Sequence, residues 1–315
     1  MNRQLFLAFC QRILQKVGSW FARSFQKILE FWEYNPSYLI CSIIYYVLSS
    51  VLLGGTVWNF LGVLLIYVIA LTIAFSELGE KLLRLMNHVR PLETKRETDY
   101  ILPLFQEVYS HAKEKYSYLD EIELCMIDNM TVNAMAIGKR TIAVTKGAME
   151  TFSEEELKAV LAHEVAHILH GDTLASLYAI VGNGIFTVYI LINRFFLFLL
   201  DLIDSSASRR RNIFSLILTF TRFIFETMIY LFSFLMQIAM SANSRISEYR
   251  ADKFAYDIGY DSDMIEALYL LEKISLGDNS TIIQKMIASH PRITLRINRL
   301  EWIDEQREKY HSLTP

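Results

Sequence analysis

Two histidines four positions apart, with a glutamate directly after the first, restrict most narrowly what this chain can fold into. His163, Glu164 and His167 lie between Ser153, a typical helix start, and Gly171, a typical helix stop. On a helix, positions four apart differ by about 40° in direction, so both imidazoles face one side and can share a metal ion. Glu164 then lies beside a metal-bound water, where it can act as a general base.

A third ligand is needed, because histidine pairs at this spacing also occur on ordinary helices. The candidates are His170, His111, His88 and Glu248. Glu248 is the strongest, because Asp252 follows one helical turn later and can accept the second N–H of a ligating histidine. Two histidines and a glutamate leave the fourth position of a tetrahedral zinc site open for water. The sequence therefore predicts one zinc ion per chain.

The composition indicates a membrane protein. Hydrophobic residues make up 53% of the chain and charged residues 21%, and the net charge of −3 gives no reason to expect a nucleic-acid partner. No charged residue occurs from Tyr34 to Ser76, a length that allows two helical passes of about 20 residues each with a turn near Gly54. The three scattered cysteines indicate neither a disulfide framework nor a thiolate zinc site.

A second apolar block, residues 173–242, separates the two halves of the predicted metal site. His163 and Glu248 must meet on one side of the bilayer, so this block crosses it an even number of times. We expect two passes, roughly 173–193 and 223–242, with a re-entrant hairpin as the alternative. The arginines at 209–211 argue against an external loop, because short external loops usually lack excess positive charge. Two further charged residues either pair inside the bundle or reach the interface, namely Arg194 and Glu226.

The first 33 residues read as an amphipathic helix. Its basic residues share one side of a helical projection, and aromatic and aliphatic residues occupy the other. Such a helix lies on an anionic membrane surface, and packing on the catalytic domain is the alternative. The basic residues here and just after the first hairpin place the catalytic domain on the cytosolic side. They are Arg3, Arg12, Lys16, Arg23 and Lys27, followed by Lys81, Arg84 and Arg90.

The remaining residues predict a mainly α fold with a small β-sheet. Residues 77–118 have a helical period, and strands are expected over 122–126 and 142–145. Helices follow from Ser153 and again from Glu248 to the end. The expected organisation is an interfacial helix, a membrane hairpin, a first catalytic part, a second membrane hairpin and a second catalytic part, over residues 1–33, 34–76, 77–172, 173–242 and 243–315.

Four motifs resemble those of the HtpX-type integral membrane zinc metalloproteases, and more distantly those of the CAAX prenyl proteases. They are residues 132–138, residues 142–172, residues 248–252, and His290-Pro291 with Arg296. The resemblance implies a zincin-like (gluzincin) catalytic domain, interrupted by and fused to about four transmembrane helices. It also implies a bacterial cytoplasmic membrane location and a role in protein quality control.

The resemblance also assigns roles to single residues. His163, His167 and Glu248 would bind zinc, and Glu164 would be the catalytic base. Asp172 and Asp252 would orient the ligands. His290, with Arg296 in support, would stabilise the oxyanion, although helix capping and surface packing are the alternative for both. An edge strand would bind an extended substrate through its main chain, using Asn133, Ala134, Met135 and Ala136.

The expected function is that of a zinc endopeptidase that cleaves membrane or misfolded polypeptides at the cytosolic face. The expected partners are therefore polypeptide substrates and the lipid bilayer. An intramembrane or CAAX-type processing protease is one alternative, but charged residues surround the predicted metal helix. A zinc-stabilised membrane scaffold is the other, and it would not require Glu164 next to the metal.

Overall fold

A computed structural model describes residues 36–52, 54–174, 213–275 and 291–313, with a few single positions among residues 18–29 and 191–199. The predicted interfacial helix over 1–33 and the first pass of the second hairpin lie almost entirely outside the described residues. His290 also lies outside them.

The described part of the chain opens with two apolar helices. Helix α1, Pro36–Leu52, and helix α2, Val57–Ala74, are joined by a turn in which Gly54 and Gly55 adopt φ values of 119° and 65°. These left-handed conformations favour glycine, since a Cβ atom would clash with the backbone there. Among the described residues, α2 is the helix that is both long enough and apolar enough to cross a membrane, with a mean hydropathy of 2.3.

The helix expected over residues 77–118 is in fact two helices with a strand between them. Helix α3 is Glu77–Met86, strand β1 is Val89–Pro91, and helix α4 is Lys95–Lys115. His88 has a φ of 54°, a left-handed conformation that ends the α3 segment. Thr94 then starts α4 through a capping box. The hydrophobic period continues on both sides of this break, so the prediction of one helix was wrong.

The sheet has four strands and mixed topology. Strand β2 is Glu123–Ile127, β3 is Ala134–Ile137 and β4 is Thr141–Thr145. The strand order is β1-β2-β4-β3, in which β2 and β4 run parallel and the two outer pairings are antiparallel. This topology leaves β3 at an edge. The prediction of a mainly helical chain with a small β-sheet is confirmed.

Helix α6 lies at the centre of the main hydrophobic core. The later elements are α5, α6, α7, α8 and α9, which are Lys146–Thr151, Glu154–Leu169, Ile213–Asp257, Asp261–Ser275 and Ile293–Leu313. Every residue from Leu157 to Ala166 on α6 is buried. Side chains of α4, the sheet, α7, α8 and α9 belong to the same core cluster. The fold therefore surrounds the middle of α6 with protein, which excludes bulk water from residues 157–166.

Helix α7 is continuous for 45 residues. It contains both the predicted pass 223–242 and Glu248, so the boundary expected at residue 243 falls inside one helix. No glycine or proline occurs from Ile213 to Asp257, and nothing in the sequence breaks the helix. Near the apolar part of α7, Arg194 Nε lies 3.4 Å from Glu226 Oε1, which is the pairing that the sequence left open.

Glu97 joins the start of α4 to the sheet through a buried ion pair. Its carboxylate lies 2.7 Å from Arg90 Nη2, and it also accepts hydrogen bonds from the backbone N–H groups of Glu93 and Thr94. The hydrogen bonds from Arg90 outweigh burial and lower the pKa of Glu97 from 4.5 to about 2. The ionised form is therefore the one that the folded state stabilises.

We expect Glu97→Gln to lower the free energy of unfolding by about 2 kcal/mol at neutral pH, because it leaves Arg90 without its buried partner. The folded-state pKa is lowered, so this contribution is complete above about pH 4.5 and is lost as the pH falls toward 2. Denaturant unfolding of the detergent-purified protein at several pH values measures it. Glu93→Gln, at an exposed position of the same corner, is the control and should change little. Equal stability of the Glu97 variant and wild type at pH 7 would contradict the prediction.

Candidate metal centre

Helix α6 directs two imidazoles to one point. Its first turn is fixed by a capping box, in which the Ser153 hydroxyl accepts the Glu156 N–H and the Glu156 carboxylate accepts the Ser153 N–H. Its end is fixed at Gly171, where φ is 70°. Between these limits, His163 Nε2 and His167 Nε2 lie 3.1 Å apart. The two rings meet edge to face, at an interplanar angle of 83°.

Helix α7 supplies a carboxylate to the same point. Glu248, Ala251, Asp252 and Ala255 share one helical face, and all four are buried. The alanines are small, so this face can approach neighbouring elements closely. Glu248 Oε2 lies 3.4 Å from His163 Nε2, and Glu248 Oε1 lies 3.5 Å from His167 Nε2.

The donor set has the spacing that a zinc ion requires. Ligand atoms about 2.0–2.1 Å from a tetrahedral ion lie roughly 3.4 Å from one another. The three separations between His163, His167 and Glu248 are 3.1, 3.4 and 3.5 Å. Two imidazole nitrogens and one carboxylate oxygen are also a common ligand set for zinc. The residues present therefore fit a zinc ion.

Each histidine has an aspartate next to the ring nitrogen that faces away from the candidate metal position. His163 Nδ1 lies 2.9 Å from Asp252 Oδ1, and His167 Nδ1 lies 3.1 Å from Asp172 Oδ2. If each Nδ1 carries the proton and donates it to its aspartate, each Nε2 keeps a lone pair directed at the other ligands. The same pattern on both rings fixes the tautomer that metal binding needs.

Two arginines pair with these aspartates. Arg296, on α9, donates to both oxygens of Asp252 at 2.8 and 2.5 Å, and its Nη1 lies 3.1 Å from Glu248 Oε2. Arg250, on α7, donates to Asp172 Oδ1 at 2.5 Å. With Glu164 included, four carboxylates face two guanidinium groups, which leaves two negative charges. A divalent cation would balance them.

The acidic surroundings favour positive charge on the imidazoles. Burial lowers the pKa of His163, but its hydrogen bonds with Asp252 and Glu248 outweigh burial and raise it. For His167, burial is likewise outweighed by the hydrogen bonds with Asp172 and Glu248, and the pKa rises to about 10. Burial has the opposite effect on a carboxyl group and raises the pKa of Asp252. The interactions with Arg296 outweigh burial, and the pKa of Asp252 is lowered.

Glu164 connects the metal-binding helix to the edge strand. Its side chain is buried, and its Oε2 accepts a hydrogen bond of 2.7 Å from the backbone N–H of Ala136 on β3. One carboxylate oxygen is thus held by the strand that the sequence assigned to substrate binding. Asn133 precedes this strand, and the other three residues predicted to bind substrate are Ala134, Met135 and Ala136 within it.

The other histidines proposed as third ligands lie elsewhere. His170 Nδ1 contacts the carbonyl oxygen of Ala166 at 2.8 Å, and His111 Nδ1 lies 3.2 Å from the hydroxyl of Tyr260. His88 is in the turn between α3 and β1. The group that could hold a metal among the described residues consists of His163, His167 and Glu248.

The contacts of Arg250 and Glu164, like the pairing of Arg296 with Asp252, were not predicted from the sequence. Arg250 lies midway between Glu248 and Asp252 in the sequence. Residues two apart face different sides of a helix, so Arg250 donates to Asp172 and not to these carboxylates. A charged residue between two buried acids was a signal that could have indicated a partner. The contact between Glu164 and the Ala136 N–H had no signal, because every residue of a strand carries the same backbone donor.

A helix that carries candidate zinc ligands packs here beside the edge strand of a mixed sheet, an arrangement that suits a metallopeptidase. The profile of peptidase family M48 matches residues 97–304, about two thirds of the chain. The chain belongs to peptidase family M48. The HtpX-type resemblance drawn from the sequence is thereby confirmed.

Several curated proteins share this similarity. The Protease HtpX homolog of Bacillus subtilis is 31% identical over 191 residues, which are 54% of this chain and 59% of that protein. The Protease HtpX of Cellvibrio japonicus is 28% identical over 187 residues, 53% of this chain and 60% of that protein. The similarity thus spans about 60% of the length of these relatives. A crystal structure of S. mikatae Ste24p aligns with 95% of this chain and 66% of that chain, with 21% identity and a TM-score of 0.44.

We expect Arg296→Leu to lower the free energy of unfolding by about 3–5 kcal/mol, because it leaves two buried carboxylates without their cation. Thermal unfolding of the purified protein measures this. Arg307→Leu is the matched control on the same helix, where the arginine is 54% exposed and pairs with Asp261 at 3.2 Å. It should cost less than about 1 kcal/mol. If both variants lost the same free energy of unfolding, the buried ion pairs of Arg296 would stabilise the protein no more than an exposed pair does.

Proposed function

We propose that this chain is a membrane-bound zinc endopeptidase. The observation that carries the proposal is the convergence of His163, His167 and Glu248, from two helices, with the spacing of a zinc site. Membership of peptidase family M48 supports the same conclusion. The proposed ligands are these three residues, and one zinc ion per chain is the proposed cofactor.

Glu164 is the proposed general base. A bound zinc ion would polarise the scissile carbonyl and lower the pKa of a water molecule. Glu164 would take a proton from that water on one carboxylate oxygen and later deliver it to the leaving amine. Its Oε2 is held by the Ala136 N–H, which limits rotation of the carboxylate and leaves the other oxygen to accept the proton. Burial excludes bulk water, so the proton passes between the reacting groups.

Asp172, Asp252 and Arg296 are proposed to position the ligands. The two aspartates hold the Nδ1 protons of the histidines, and Arg296 bridges Asp252 and Glu248. Arg296 does not have the exposed position of a surface residue, since it is 7% exposed. A role for His290 in stabilising the oxyanion stays a prediction from the sequence.

Strand β3 is the proposed docking edge for an extended polypeptide. The N–H of Thr145 donates to the carbonyl oxygen of Asn133, so this residue faces β4. Backbone groups alternate along a strand, and Ala134 and Ala136 therefore direct theirs away from β4. The Ala136 N–H donates to Glu164, which leaves both backbone groups of Ala134 and the carbonyl oxygen of Ala136 for a substrate strand. A substrate strand could pair there without regard to its side chains, which suits an enzyme that degrades varied polypeptides.

Membrane or misfolded polypeptides are the proposed substrates, cleaved at the cytosolic face of a bacterial cytoplasmic membrane. Helices α1 and α2 are the proposed first membrane hairpin, and the apolar part of α7 belongs to the second. The gluzincin-type catalytic domain would then consist of residues 77–172 and 243–315, with the second hairpin, residues 173–242, as an insertion. Helix α6 supports cleavage outside the bilayer, since protein surrounds it and its first turn carries three glutamates.

We expect Glu164→Gln to keep zinc and to lower the cleavage rate of an unfolded model protein in detergent by about 10²–10⁴-fold. The amide can still accept the Ala136 hydrogen bond, but it cannot take a proton at neutral pH. Metal analysis together with a proteolysis assay measures both quantities. Glu155→Gln is the control on the same helix, at a position where the side chain is 59% exposed. Normal turnover by the Glu164 variant would remove the assignment of the base.

We expect His163→Ala to abolish zinc binding and Asp172→Asn to weaken it by about 10–100-fold. The first change removes a ligand, whereas the second removes the acceptor that holds the His167 Nδ1 proton. Competition with a chromogenic chelator measures the affinities. Asp257→Asn, at an exposed position near the end of α7, is the control. Full zinc occupancy in the His163 variant would contradict the ligand set.

A further inference from the structure

Helix α3 exposes a continuous apolar stripe. The stripe consists of Leu78, Leu82, Leu85 and Met86, which are 55%, 48%, 73% and 66% exposed. At 100° per residue, these four side chains fall within an arc of about 100°, the width of the apolar face that a helix normally buries. The buried residues Gly79 and Leu83 lie beside the stripe, about 70° and 110° from its centre. The apolar face directed away from the protein thus has the pattern of a docking surface.

The apolar stripe is held next to the end of helix α2. Only Phe75 and Ser76 separate the two helices. A Cβ atom on Gly79 would lie 2.1 Å from the carbonyl oxygen of Ala74, so the turn between the helices requires glycine at this position. Lys139 reinforces the turn, because its Nζ donates to the carbonyl oxygen of Phe75 at 2.7 Å. A helix that starts here cannot move far from the end of the proposed membrane span.

The opposite face of α3 is bonded to the sheet. Glu80 accepts a hydrogen bond of 2.6 Å from the Thr141 hydroxyl and one of 3.3 Å from the Lys139 N–H. Arg84 donates to the same hydroxyl at 2.8 Å and lies 2.7 Å from Glu123. These contacts attach α3 to the loop that follows β3 and to the first residue of β4. Helix α3 therefore has one face on the catalytic domain and one face that the described residues leave exposed.

We propose that α3 lies in the membrane surface, with the apolar stripe buried among the lipids. Three observations select a bilayer as the occupant: the stripe follows α2 directly, its width matches an interfacial helix, and Lys81 flanks it where lipid phosphates would lie. The inference rests on the membrane location in the proposed function.

The consequence concerns how polypeptides reach the active site. A Cβ atom on Gly138, directly after β3, would lie 2.7 Å from the Glu80 side chain, so the end of β3 is in contact with α3. Docking of α3 would therefore hold that end of the edge strand at the membrane surface. A polypeptide that emerges from the bilayer would reach β3 first at this end and extend from there toward Ala134.

Spin-label accessibility in nanodiscs tests the proposal. The full chain is placed in phosphatidylethanolamine–phosphatidylglycerol nanodiscs, and single labels are attached in the variants Leu85→Cys, Leu65→Cys and Met130→Cys. Cys10 and Cys41 are replaced by serine, and Cys125 is kept, because burial raises the pKa of its thiol to about 11 and makes it unreactive. Power saturation then compares collisions with oxygen, which enriches in lipid, and with a nickel chelate, which stays in water.

Leu65 is the control inside α2, where it is 61% exposed, and Met130 is the control on the domain surface, where it is 65% exposed. We expect the label at position 85 to report a depth of about 5–10 Å below the headgroup boundary. The label at position 65 should be deeper, and the label at position 130 should collide mainly with nickel. If the Leu85→Cys variant folds poorly, a label at Leu82→Cys replaces it and should report the same depth.

Three other outcomes would overturn the proposal. Nickel accessibility at position 85 equal to that at position 130, with position 65 in lipid, would show that α2 spans the bilayer while α3 does not dock. Protection of position 85 from both reagents would show that a segment of protein covers the stripe. Nickel accessibility at position 65 would overturn the membrane location itself, and the inference with it.

Discussion

Helices α6 and α7 pack against each other around buried charged side chains, and the rest of the structure depends on this packing. Two histidines from one helix and a glutamate from the other come within 4.8 Å of one another. Charged groups are costly to bury without partners, so Asp172, Asp252 and Glu248 each have a basic or imidazole neighbour. Some of these pairings join residues that are far apart in the sequence, such as His163 and Asp252, which are separated by 89 positions. They join the two proposed catalytic parts into one site.

The edge strand adds a second connection, between the chemistry and the surface that would hold a substrate. Because Glu164 accepts the Ala136 N–H, the proposed base and the proposed docking strand cannot move independently. The same strand ends against α3, which stands at the end of the apolar helix α2. A series of direct contacts thus leads from the apolar hairpin through α3 and β3 to Glu164. With the proposed membrane location, these contacts would connect the bilayer to the geometry of the site.

Local signals in the sequence predicted the elements that depend on neighbouring residues. The capping box at Ser153, the stop at Gly171 and the two β-strands on either side of Asn133 are all found in the structure. The predictions failed where a hydrophobic period continued across a break. Residues 77–118 keep a helical period on both sides of β1, although the left-handed His88 interrupts the helix. The boundary predicted at 243 lies inside a helix that contains no breaking residue, so the sequence carries no local signal of that continuity with the apolar part.

The sequence by itself determined the chemistry that is available, since residue type and a spacing of four positions are sufficient to direct two imidazoles to one side of a helix. It also determined that long apolar segments separate these histidines from Glu248. Only the tertiary structure decided which acids meet which bases. The pairing of Arg250 with Asp172, of Arg296 with Asp252 and of Glu164 with Ala136 depends on how α6, α7, α9 and β3 pack. Helical and strand periods describe one element at a time, whereas contacts between elements follow from the packing of the whole core.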